Sequence, residues 1–286
     1  MNEPAPLGND ETEDLEIRDE AREPGPNNPP WNSLIGFLFW IFSVLLIMVV
    51  PALFVLPYLK RDLFRGGSSE ALQNDIYADP TAVLVALVGT FAAHIITLAC
   101  AWAVVTRMNK FSFRKVLGWE WGGFKLWHGA VIFFGVYGLA IGLNQLLGGQ
   151  DNEMLKILRS SRGAVIAVAI IATFSAPVVE EIVYRGLLYS AFQRSFGMPL
   201  AVAAVTLIFA MVHVAQYYPD VSTILSILVL SFILTMIRAK TENLLPCIFF
   251  HFVFNGVQSL LLIIGPALPD AIDPTSAQSF FLRLLS

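Results

Sequence analysis

Charge is scarce in this chain of 286 residues: only 14% of its side chains are charged, against 56% hydrophobic. A soluble domain is nearer 25% charged and 45–50% apolar, so a water-soluble globular protein is excluded. The net charge of −4 does not describe the body of the molecule. Residues 1–30 hold nine acidic and two basic residues, and the remainder is slightly basic. No basic tract suited to nucleic acid is present, so nucleic acid is not an expected partner. Cysteine is almost absent: Cys100 and Cys247 both lie in apolar runs, with no CxxC and no Cys/His cluster. That excludes a disulfide framework and a cysteine-based zinc site, and leaves both thiols as small core residues. Also missing are HExxH, which excludes a zinc protease of that type, and any GxSxG setting for a serine nucleophile. No repeat of fixed period appears, so an inverted-repeat transporter is not suggested. The N-terminus is long, acidic and rich in Pro and Asn before its first apolar run, unlike a secretory signal.

Long apolar runs are plentiful. Seven segments, at 33–59, 80–106, 127–148, 164–194, 198–216, 221–238 and 243–265, are each about long enough for a bilayer. The first two run 27 residues without Asp, Glu, Lys or Arg. The expected fold is all-α: a polytopic integral membrane protein of about seven transmembrane helices. Residues 1–32 are too poor in large apolar side chains to bury a core and are expected to be disordered. They read as a solvated tail or as a recruitment segment for a partner. The loop 107–126 interleaves five basic residues and one acid with Phe and Trp. It reads either as a short amphipathic segment at the membrane surface or as an interfacial loop with aromatic anchors.

Orientation follows from Lys and Arg. With seven spans, the face holding the N-terminal tail and the loops near 107–126, 194–198 and 239–242 carries ten of them, and the opposite face carries seven. The positive-inside rule puts the first face, and the N-terminus, in the cytoplasm. Lys60, Arg61 and Arg65 argue the other way.

Against this scarcity of charge, Glu180, Glu181 and Arg185 stand inside the fourth span. Ionisable groups at bilayer depth cost several kcal/mol and are functional by default. Glu181 and Arg185 are four apart, close enough to pair on one helical face. Glu180 points roughly 100° away. His213 in the fifth span, and His251 with Asn255 four residues on in the seventh, are further polar groups at depth. Glu180 lies 14 residues before Arg194, and His213 lies 14 residues after Pro199. Both are then roughly 20 Å from the turn that joins their spans, so an antiparallel hairpin brings them level. His251 and Asn255 reach a similar depth. His94 and His128 read as structural or interfacial.

A carboxylate and an imidazole around one water make a general base. A second His and an Asn supply donors for a developing oxyanion. Such a set suits hydrolysis of a peptide bond in or beside the membrane. Alternatives are a non-catalytic scaffold or immunity protein that binds a partner, and a proton-coupled transporter using Glu180 and His213 as a relay. Pro177, just before the glutamates, kinks the fourth span or widens a cavity there.

EEIVYR (Glu180–Arg185), FAMVH (Phe209–His213) and HFVFN (His251–Asn255) resemble, in order, the EExxxR, FxxxH and HxxxN motifs of the CPBP family, the CAAX prenyl endopeptidases of the Rce1 type and their bacterial relatives, also called ABI proteins. The resemblance covers about residues 160–265, with 33–150 as N-terminal helices and 266–286 as a C-terminal tail. It implies a CPBP-type helix bundle, a multi-pass protein of a prokaryotic cell membrane, and an intramembrane endopeptidase. By position, Glu180 would activate water, His213 would hold it, His251 and Asn255 would face the oxyanion, and Glu181 and Arg185 would support the site. Family members have been described both as metalloproteases and as glutamate proteases, so a divalent metal such as zinc stays open. The implied partners are the lipid bilayer and a peptide or protein substrate in or at the membrane.

Overall fold

A computed structural model describes residues 23–58 and 76–264. Among the described residues the fold is helical, with no strand and a single isolated bridge between Gly25 and Asn28. Seven helices are long and apolar enough to cross a membrane: α1 (Ser33–Val55, extended by a short 3-10 turn to Tyr58), α2 (Pro80–Thr106), α4 (Leu126–Leu147), α6 (Arg162–Phe196), α7 (Met198–Tyr217), α8 (Val221–Thr241) and α9 (Leu245–Ile264). Two short helices lie between them, α3 (Phe113–Leu117) and α5 (Glu153–Ser160). The chain is an integral multi-pass membrane protein.

Local chemistry sets the helix starts. Asn32, Asp79, Asn152, Ser161 and Asp220 each accept a hydrogen bond from a backbone N–H in the first turn of the helix they precede, which satisfies donors that have no partner inside the helix. His128 does the converse at the start of α4, its Nδ1 accepting from the Lys125 N–H at 3.2 Å. Gly89 is where α1 and α2 touch. A Cβ there would sit 2.7 Å from the Cα of Pro51, so only glycine allows the approach.

Burial runs opposite to that of a soluble bundle. α1 and α4 expose large apolar side chains such as Leu34, Met48, Val131 and Phe134, a pattern suited to lipid, and α4 buries only Val136 and Ala140. The centre belongs to α6, whose residues from Glu181 to Ala191 are all buried. Trp31, Phe39, Ala101, Leu117, Phe209 and Ile248 pack around its Leu187 and Leu188.

At one end of the bundle the residues before α1 form a strap. The carbonyl of Pro26 accepts from Arg238, that of Pro29 from Arg194 at 2.8 Å, and that of Pro30 from Arg107. The Trp31 indole N–H donates to the Leu187 carbonyl at 3.0 Å. The expectation of a disordered tail over 1–32 therefore does not hold for 23–32. Prolines leave these carbonyls unclaimed by regular structure, and arginines claim them instead. Residues 1–22 and 59–75, and the whole of the expected C-terminal tail 266–286, lie outside the described residues.

Candidate active site

α6 is not a regular helix. It runs as α-helix to Ile170, as π-helix over Ile171–Ser175, as α-helix over Ala176–Glu180, as π-helix over Glu181–Leu188, and then as α-helix again. The first irregularity has a local cause. The Ala176 N–H bonds the Ile171 carbonyl, five residues back. In π geometry the next donor would be residue 177 for the carbonyl of Ala172, but residue 177 is proline and has no N–H. The Ala172 carbonyl is thus left without a backbone donor, and the Asn255 side-chain amide on α9 supplies one at 2.9 Å. Wide turns of this kind often mark functional sites.

The second π segment opens with Glu181 and contains Arg185, both with no exposed side-chain surface. All three guanidinium nitrogens are engaged: Nη1 donates to Glu181 Oε1 at 3.0 Å, Nε to Thr235 Oγ1 at 3.2 Å, and Nη2 to the carbonyl and hydroxyl of Ser231 at 3.0 and 2.9 Å. Ser231 and Thr235 are four apart on α8, a polar pair in an apolar helix that the sequence displayed and the reading above did not use. The Phe209 ring lies 4.6 Å from the guanidinium carbon, within cation–π range. Glu181 Oε1 also accepts from His251 Nδ1 at 2.8 Å. Its other oxygen, Oε2, is buried with no protein hydrogen bond.

Glu180 has different surroundings. Its side chain is 26% exposed, and its Oε2 lies 3.8 Å from His251 Nε2. It lines a cavity of about 730 Å³ together with His213, His251 and Asn255. His213 donates Nδ1–H to the Phe209 carbonyl at 2.7 Å, which leaves Nε2 as its acceptor nitrogen. Its ring stacks on Tyr217, with an interplanar angle of 6°. The FxxxH spacing has a physical reading: the phenyl ring covers Arg185 while the same residue's carbonyl orients the histidine one turn on.

Four expected site residues therefore share one cavity, and the other two, Glu181 and Arg185, lie behind its wall. Sequence reasoning put His251 on the oxyanion side. In the structure its Nδ1 bonds Glu181 and its Nε2 lies 3.8 Å from Glu180, facing the same cavity. His94 of α2, structural or interfacial by its sequence position, also lines the cavity. The signal was an ionisable group in an apolar span. Toward the face opposite the strap the cavity reaches Tyr77 and Glu153. Burial, with Glu153 beside it, pushes the Tyr77 phenol above its usual range.

Residues 162–257 match the family model described as type II CAAX prenyl endopeptidase, Rce1-like. That stretch, about a third of the chain, is similar to the CPBP family to which the model belongs. All six expected site residues fall within the matched stretch, and His94 lies outside it. No curated protein and no solved structure matches the chain. That family is one of proteases, and peptide-bond hydrolysis is what the similarity supports at family level. For a metal, the donors present do not fit: among the described residues no three His, Cys, Asp or Glu side chains gather as a ligand set. The chemistry derived for the site rests on the chain's own side chains.

Proposed function

We propose that the chain is an intramembrane endopeptidase that cleaves a membrane-associated substrate of the CAAX type named for the matching family, with Glu180 as general base. The observation that carries this reading is a division between two adjacent carboxylates. Glu181 is fully buried and paired with Arg185, whereas Glu180 faces a cavity shared with His213, His251 and Asn255.

Water held between the Glu180 carboxylate and His213 Nε2 gives one proton to Glu180 as its oxygen attacks the scissile carbonyl carbon. The carbonyl oxygen becomes an oxyanion. Asn255 spends one amide hydrogen on Ala172 and keeps the second for that charge. His251, anchored through Nδ1 on Glu181, holds Nε2 beside Glu180 and completes the polar wall. Collapse of the intermediate breaks the C–N bond, and the proton held by Glu180 passes to the leaving nitrogen. Positioned acid–base groups of this kind contribute roughly 100- to 10,000-fold.

The test uses the purified full chain in lipid nanodiscs and an internally quenched peptide ending in a CAAX sequence, offered with and without a farnesyl group on its cysteine. Glu180→Gln is expected to lower cleavage by at least about 100-fold with no change in unfolding temperature. Activity retained in that variant would sink the assignment. The two peptides together decide whether the prenyl group matters.

A further inference from the structure

His94 is the one ionisable side chain that α2 contributes to the cavity, whose α2 wall is otherwise Leu87 and Thr90. These positions follow helical spacing, so one face of α2 looks inward. The ring is 7% exposed, and its Nδ1 lies 2.9 Å from Ser175 Oγ. That hydroxyl already donates to the Ile171 carbonyl at 3.2 Å. A hydroxyl has a single proton, so toward His94 it accepts, and Nδ1 carries the hydrogen. In this assignment of the hydroxyl proton the lone pair is on Nε2. Nε2 makes no hydrogen bond to the described residues, while the ring borders the cavity.

The π segment Ile171–Ser175 has a role in this. It presents the Ile171 carbonyl to Ser175 and, through Ser175, orients a histidine 81 residues away in sequence. Nε2 is an aimed acceptor on the α2 wall, one turn from the Thr90 hydroxyl, whose single proton goes to the Ala86 carbonyl. A peptide entering the cavity brings main-chain N–H groups that lose water on entry and need acceptors.

We propose that His94 is a substrate-positioning residue, its Nε2 accepting a hydrogen bond from a main-chain N–H of the peptide in the cavity. This rests on the proteolytic reading of the site. It adds a contact from α2, outside the stretch that matches the family.

The test uses the quenched farnesylated CAAX peptide and the full chain in nanodiscs. His94→Ala is expected to raise KM about 10-fold, the effect of one lost hydrogen bond to a buried group, with kcat and its pH profile unchanged. His94→Gln, whose amide oxygen reaches where Nε2 stood, is expected to restore most of the loss. His94→Asn, which keeps only the Nδ1 side, is expected not to; this pair carries the comparison if the alanine variant fails to fold. Ser175→Ala frees the ring and is expected to reproduce part of the KM rise. An unchanged KM in His94→Ala would reduce the residue to packing and overturn the proposal. So would a fall in kcat with a lost pH limb and no rescue by glutamine, which would make His94 an acid–base group. Binding of the same peptide to Glu180→Gln with and without His94→Ala needs no turnover. It separates failure of this contact from failure of Glu180 as base: about 10-fold weaker binding supports the contact whatever Glu180 does, and equal binding overturns it.

Discussion

Glu180 and Glu181 share a peptide bond and a neighbour in His251, and differ in the rest of their surroundings. Glu181 sits with Arg185 in a fully buried cluster where Thr235, Ser231 and Phe209 complete the guanidinium's surroundings. A buried ion pair adds little against an apolar replacement, but removing one partner strands the other and costs about 3–5 kcal/mol. Arg185→Ala is therefore expected to lower stability by about 3–5 kcal/mol, read from equilibrium unfolding in detergent. Arg185→Lys is expected to recover little, because an ammonium does not reproduce the planar fork that reaches Glu181, Ser231 and Thr235 together. Full stability in the lysine variant would show that charge alone matters there. The Glu181–Arg185 pair was legible because helical spacing is local. The His251–Glu181 bond was not, since 70 residues separate its partners and periodicity carries no information about which side chains meet across helices. The same limit hid His94, whose partner Ser175 is an ordinary serine until the bundle brings the two together.

At the scale of elements, the seven spans were readable from hydropathy to within three residues at each end, because lipid demands continuous apolar length and little else. What hydropathy does not encode is backbone irregularity. α6, at 35 residues, would measure roughly 52 Å as a straight α-helix, well beyond the apolar core of a bilayer. Its two π segments and Pro177 lie where the site is built. The short α5 also escaped the sequence reading: Leu155 and Leu158 turn inward while Lys156 and Arg159 face out, over too few residues to stand out. Arg159 pairs with Asp151 at 2.8 Å. If Asn255 serves the carbonyl that Pro177 leaves orphaned, the two residues are energetically coupled. Asn255→Ala is expected to cost about 1–3 kcal/mol of stability. In a Pro177→Ala background, where an N–H returns to the backbone, the cost is expected to shrink, with a coupling of roughly 0.5–3 kcal/mol in a double-mutant cycle. Strict additivity would mean that Asn255 and Pro177 act separately.

The whole molecule has two unlike ends. One carries the strap, with Arg107, Arg194 and Arg238 bound to its carbonyls. The other carries Tyr77, Glu153 and the cavity that leads down to Glu180. Which end faces the cytoplasm decides which compartment presents the substrate. The count of Lys and Arg favours the strap face as cytoplasmic, against the local cluster Lys60, Arg61 and Arg65 on the other. The positive-inside rule weighs basic residues close to span ends, and the strap face has more of them. On that reading the cavity opens away from the cytoplasm. Single cysteines in a Cys100→Ala, Cys247→Ala background test it: Lys156→Cys on α5 is expected to react with a membrane-impermeant maleimide added to intact cells, and Glu120→Cys to react only after permeabilisation. The reverse pattern would place the cavity mouth in the cytoplasm and make the 60–65 cluster the segment that sets orientation.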